Sequence, residues 1–223
     1  MKTNEELQKD VQDAIKWEPL LHAAEIGVTV KDGVVTLTGV VDSYSKKMEA
    51  EDATKKVAGV KAVVEKLVIK YGTFGKKTDN EIATEVLSAL KWNWQVPSDK
   101  VKVKVEDGWI TLEGELTWNY QKIAVKSALK DLTGVTGITN NIIIKSESKD
   151  QIEKAGIERA IARNWSINNR DINVNVSGNI VTLSGTVNSW YQKDEAERIA
   201  HNAPGVWAVY NELTIEYDFS LVD

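Results

Sequence analysis

The sequence predicts an α+β protein made of three tandem α-β-β-α-β units, each a three-stranded mixed sheet covered on one face by two helices. Three observations carry this reading. The stretch "DGVVTLTG" at 32–39 returns as "DGWITLEG" at 107–114 and "GNIVTLSG" at 178–185. The closing glycines, Gly39, Gly114 and Gly185, are each followed 20 residues later by Gly59, Gly134 or Gly205, and then by a valine. Between these marks the hydrophobic period switches from helical to alternating and back in one fixed order. The implied domains are 1–72, 73–147 and 148–223.

Each element has its own signal. Leu7, Val11 and Ile15, and Ile82, Val86 and Leu90, recur every four residues and predict a first helix. Ile157 and Ile161 repeat this in the third unit, where Gly156 weakens the helix by about 1 kcal/mol relative to alanine. Alternation at Ile26, Val28 and Val30, at Val101, Val103 and Val105, and at Ile172, Val174 and Val176 predicts a half-buried first strand. "KDG", "EDG" and "SGN" are tight-turn signals, so the repeated stretch is the second strand of a hairpin. Asp42, Thr117 and Asn188 are placed as N-caps of a second helix. That helix buries Ala50, Ala53, Thr54 and Val57; Val125, Ala128, Leu129 and Leu132; or Ala196, Ile199, Ala200 and Ala203. Gly59, Gly134 and Gly205 end it as C-terminal caps, and a third strand follows. The six glycines are thus structural rather than chemical.

Composition narrows function. The net charge is −5 and there is no cysteine, hence no disulfide framework and no thiolate zinc site. The three units carry 11, 10 and 7 basic groups against 12, 10 and 11 acidic ones. None is basic, which argues against nucleic acid as a partner. No apolar run reaches the length of a bilayer span. The polar start "MKTNEELQKDVQDAIKW" lacks the apolar stretch of a signal peptide, so the expectation is cytoplasmic, or periplasmic for a processed chain.

The order of elements resembles the BON domain family, named for bacterial osmotically inducible and nodulation proteins. The residues that carry it are G-x-V-x-L-x-G closing strand two and the pairs Gly59-Val60, Gly134-Val135 and Gly205-Val206. Asn140, Asn141 and Asn211 fall where the family often has asparagine in the last strand. The resemblance covers about residues 3–71, 78–145 and 149–217 and is greatest to its osmotically inducible protein Y-like branch. That branch usually has a signal peptide and two domains, whereas this chain shows no signal and has three. The resemblance implies a non-enzymatic, stress- or envelope-related binding module, docking on a phospholipid surface or a protein partner. A potassium-binding cytoplasmic member leaves an ion-responsive role open, and a structural or chaperone-like scaffold is a third reading.

No residue pattern speaks for catalysis, a cofactor or a metal. His22 and His201 are not shared between units and read as surface histidines, His201 facing solvent. Gly134-Val135-Thr136-Gly137 matches the GxxG of an RNA-binding domain by chance, since it lies between helix and strand. Lys100, Lys102 and Lys104 share one face of a strand, as a solvated face or guarded edge would.

The aromatic residues are more informative. Trp17, Trp92, Trp94 and Trp165 stand at or just past the end of the first helices. Tyr44, Trp118, Tyr120, Trp190 and Tyr191 stand at the start of the second helices, with Lys47, Lys122 and Lys193 aligned beside them. Chain direction brings both groups to one pole of each unit. A helix N-terminus attracts phosphate, and tryptophan and tyrosine suit a headgroup interface. These twelve residues are the candidate lipid- or partner-binding set. The competing reading buries the rings over the core end or between units, the commoner fate of large aromatics. Trp109 and Trp207 lie away from the pole and read as structural.

Overall fold

The structure, a computed structural model, describes residues 2–72, 77–145, 152–164, 167 and 171–216. Repeat one comprises α1 (Asn4–Lys16), β1 (Ile26–Lys31), β2 (Val34–Val41), α2 (Tyr44–Lys55) and β3 (Ala62–Ile69). Repeat two comprises α3 (Asp79–Trp92), β4 (Val101–Glu106), β5 (Trp109–Leu116), α4 (Asn119–Leu129), β6 (Gly137–Asn140) and β7 (Ile143–Ile144). Repeat three comprises α5 (Lys154–Ala162), β8 (Ile172–Ser177), β9 (Ile180–Val187), α6 (Trp190–His201) and β10 (Ala208–Ile215). No described helix is long and apolar enough to cross a membrane.

Each sheet has the predicted hairpin, with its second strand central. β1 and β2, β4 and β5, and β8 and β9 pair antiparallel. The third strand joins the other side of the central one in parallel, β10 on β9 and β6 with β7 on β5. In repeat two this strand is interrupted at Asn141 and Ile142.

The first helices start on reciprocal caps. The Thr3 and Thr78 hydroxyls accept from the amides of Glu6 and Glu81, whose carboxylates accept in return from the Thr3 and Thr78 amides. The first helical residue then reaches the hairpin turn. The Asp32 amide donates to Asn4 Oδ1 at 2.9 Å, and the Asp107 and Gly108 amides donate to Asp79 at 3.0 and 2.9 Å. Asp32 and Asp107 need this support, since their φ of 52° and 50° are left-handed values that non-glycine residues adopt rarely. Leu7, Val11, Ile15 and Ile82, Val86, Leu90 are buried, as the four-residue spacing demands.

The closing glycines lie at positive φ, 129°, 143° and 114° for Gly39, Gly114 and Gly185. A Cβ there would meet the backbone oxygen of Glu25, Lys100 or Asp171 at 2.0, 2.1 or 1.8 Å. The central strand at its closing glycine is thus pressed against the residue just before the first strand, a fit only glycine permits. The later glycines are less direct caps than expected. Regular helix ends at Lys55, Leu129 and His201, and turn residues lead on to Gly59, Gly134 and Gly205 at φ 114°, 94° and 84°. There the chain reverses into strand three, with Gly59 against Leu7 and Gly134 against Ile82.

By packing, the described residues form two compact units. One holds those of Met1–Val40, Met48–Val68 and Asp150–Asp223, and the other Val41–Lys47 with Ile69–Lys149. In the second unit Tyr71 donates its hydroxyl to the Val135 carbonyl, and burial pushes its phenol up to about 12.

Gly114→Ala is expected to lower unfolding free energy by roughly 2 kcal/mol or more, measured by urea titration. Gly156→Ala, whose new methyl would find its nearest neighbour at 3.5 Å within α5, is expected to raise it by about 0.5–1 kcal/mol. The Tyr71 phenol has a folded pKa above its unfolded value, so its share of stability is intact below about pH 10 and is lost as pH rises towards 12. Tyr71→Phe should flatten the decline of the unfolding midpoint over that window. An unchanged decline would exclude Tyr71 as its source.

Candidate docking surfaces of the aromatic residues

The segment between central strand and second helix is held by the chain's own side chains. The caps fall one residue later than Asp42, Thr117 and Asn188. Ser43 Oγ accepts from the Lys46 amide at 3.4 Å, and Ser189 Oγ from the Gln192 amide at 3.2 Å. In repeat two the cap position is Trp118, and Gln121 Oε1 instead accepts from the Thr117 and Trp118 amides. Asp42 pairs with Lys46 at 2.6 Å, and that hydrogen bond holds its carboxyl below the usual range. These helix starts are therefore partly capped from within, and offer an outside anion fewer free N–H groups than a bare terminus.

The aligned lysines are half-buried, and Lys193 Nζ donates to the Leu213 carbonyl at 2.7 Å. Asparagines complete the joint from the other side. Asn140 Nδ2 donates to the Lys122 carbonyl at 3.2 Å and Asn211 Nδ2 to the Lys193 carbonyl at 2.9 Å. Their Oδ1 atoms accept from the amides of Ile142 and Leu213. Each asparagine ties strand three to the start of the second helix. Sequence reasoning noted both positions through the family resemblance alone, because hydrogen bonding between separate elements leaves no local pattern.

The candidate aromatic residues fall into three groups. Trp17, Trp92 and Trp94 project into solvent, 84%, 87% and 89% exposed. Tyr44 and Trp190, which occupy equivalent positions, are engaged. Tyr44 packs on the core of repeat two within its unit. Trp190 donates its indole N–H to the Lys61 carbonyl of repeat one at 2.6 Å. The ammonium groups of Lys55 and Lys193 stand 5.8 and 5.7 Å from its ring centroid. Burial works against the Lys55 charge, but the Glu51 hydrogen bond and nearby Asp194 and Asp52 hold its pKa above the ordinary value. Trp118, Tyr120 and Tyr191 remain partly exposed. Trp165 lies outside the described residues.

The remaining candidates take structural places. His22 is exposed, whereas His201, expected to face solvent, is half-buried on α6, with Nε2 3.9 Å from Glu197. Gly134, Val135 and Gly137, of the GxxG match, are buried. Lys102 and Lys104 are exposed on edge strand β4, Lys104 bridging Glu106 at 2.9 Å. Trp109 anchors its indole N–H on Thr139 Oγ1 at 2.9 Å. Among the described residues, no three His, Cys, Asp or Glu side chains cluster as metal ligands. A groove of about 690 Å³ lies at α5 and α6, with Ile157, Ile199, Ala203 and Pro204 in its lining.

Known proteins place this architecture. The BON domain family matches residues 3–71, 78–146 and 149–217. Osmotically-inducible protein Y of Escherichia coli (strain K12) is 32% identical over 129 residues, 56% of this chain. The match spans 64% of that protein's length. Among solved structures, the C-terminal domain of CdsD, a structural protein of the type III secretion system of Chlamydia trachomatis, is 17% identical. It covers 96% of this chain and 100% of that one, but at a TM-score of 0.25 the likeness carries no argument. With three matches in tandem over nearly its whole length, the chain belongs to the BON domain family.

Proposed function

We propose that this protein is a non-catalytic, stress-related binding module that docks on anionic phospholipid surfaces through the tryptophans at the ends of α1 and α3. The observation that carries the reading is the exposure of Trp17, Trp92 and Trp94 beside the exposed lysines Lys16 and Lys91. A tryptophan ring buries about 150–250 Å² when covered, worth about 4–6 kcal/mol at roughly 25 cal/mol per Å². Left in water, three such rings forgo that gain. A headgroup layer supplies it, accepting the indole N–H at its polar level while the ring meets the acyl boundary. Each neighbouring lysine adds about 1 kcal/mol against an anionic leaflet.

This narrows the twelve-residue candidate set to its members at the end of the first helix. The helix-two starts have internal caps, Lys193 is bound to Leu213, and Tyr44 and Trp190 are packed. The likeness to osmotically-inducible protein Y supports osmotic stress as the setting.

The test is flotation with phosphatidylglycerol-containing vesicles, with pure phosphatidylcholine as the neutral comparison. The wild-type chain should float with the anionic vesicles, shift its tryptophan emission to the blue, and release as salt is raised. W17A/W92A/W94A should weaken binding by more than about tenfold with an unchanged unfolding midpoint. No flotation of the wild type, or equal flotation of the triple variant, would overturn the reading.

A further inference from the structure

We propose that the groove at α5 and α6 binds a free monoalkyl carboxylate, its acid group held at Arg163 and its chain laid over the apolar lining. The lining comes from repeat three alone, within one compact unit. The volume of about 690 Å³ falls in the range of small-molecule sites, about 300–1,000 Å³. Ile157, Ala160, Ile199 and Ala203 make the lining apolar and non-aromatic. It runs from Glu153, the cap before α5, to Arg163, the cap after it. That separation is about 15 Å of helix, a length that suits an extended chain better than a compact ring.

The other repeats show why the groove is open. Counted from the closing glycine, Glu153 holds the position of Leu7 and Ile82, and Gly156 that of Asp10 and Glu85. Leu7 and Ile82 are buried against Gly59 and Gly134. Asp10 and Glu85 are bridged by Lys2 and Lys77 at 2.6 and 2.5 Å. Repeat three has neither filling. Glu153 is exposed and bridges Arg159 at 3.0 Å, and Gly156 adds no side chain. Charge changes at the same place. Arg163 stands where repeats one and two have Trp17 and Trp92, and Arg198 where they have Asp52 and Ser127. Glu195 accepts from Arg198 Nε and Nη2 at 2.7 and 2.6 Å and from Asn164 Nδ2 at 2.8 Å, which fixes two lining side chains. Arg159 and Arg198 are thus already paired, whereas Arg163 has no ion pair among the described residues. One uncompensated guanidinium at the end of an apolar groove complements a single anionic head. Guanidinium holds a carboxylate through two parallel N–H bonds. This site shares no residue with the tryptophans at the ends of α1 and α3.

Isothermal titration calorimetry with decanoate, below its micelle concentration, tests the proposal. The wild-type chain should bind a single decanoate, and affinity should fall roughly fourfold for each methylene removed from the chain. Decanol, which lacks the anion, should bind at least about tenfold more weakly. Arg163→Gln should erase that preference and leave the affinity for decanol unchanged. Gly156→Leu, which puts a side chain into the groove, should abolish binding of both, with an unfolding midpoint no lower than that of the wild type. W17A/W92A/W94A should bind decanoate as the wild type does, so failure here and failure of vesicle docking are read separately. No saturable heat with the wild type, binding that persists in Gly156→Leu, or equal affinity for acid and alcohol would each overturn the proposal.

Discussion

Each repeat depends on one close approach of backbone to backbone. The end of the central strand presses on the carbonyl that precedes the first strand, within 2.1 Å of where a side chain at Gly39 or Gly114 would begin. Because glycine carries no Cβ, the central strand can lie this close, run on to Val41, Leu116 or Val187, and enter the second helix at Tyr44, Asn119 or Trp190. That exit sets the direction of the helix, which in turn decides where Ala50, Ala53, Val125, Leu129, Ala196 and Ala200 are buried. The third strand then returns beside the central one, tied by Asn140 or Asn211 to the start of the same helix in repeats two and three.

These joints also divide the aromatic residues by role. At the helix-two start Tyr44 and Trp190 are drawn into packing, whereas Trp118, Tyr120 and Tyr191 stay exposed. Trp190 and Tyr44 go further and reach another repeat. Past the first helix the chain buries Leu21 and Val96 instead and leaves the tryptophans outside. Trp17, Trp92 and Trp94 consequently stand in water. Small repeats have thin cores, and docking a helix start on a neighbour enlarges the buried apolar surface available to each.

The repeat architecture was legible because it rests on local patterns: hydrophobic spacing, turn glycines and fixed offsets. Its misses were local in sequence but decided by geometry. The caps fell at Ser43, Trp118 and Ser189, one residue beyond Asp42, Thr117 and Asn188, because strand two runs on to Val41, Leu116 and Val187 before the turn begins. The helices ended ahead of their glycines because those residues serve the entry into strand three. His201 was read as surface from its lysine counterparts, yet Lys55 and Lys130 are themselves half-buried at that position.

The sequence by itself determined the number of repeats, the order of elements, the buried faces and the positions where glycine is required. Each follows from periodicity or from a backbone conformation that few residues adopt. Only the tertiary structure decided which aromatic rings are spent on internal contacts and which remain exposed. Trp190 and Trp92 are the same residue type, one at a helix start and the other at a helix end, and nothing local separates their fates. What separates them is the Lys61 carbonyl 129 positions away from Trp190, which accepts its indole N–H.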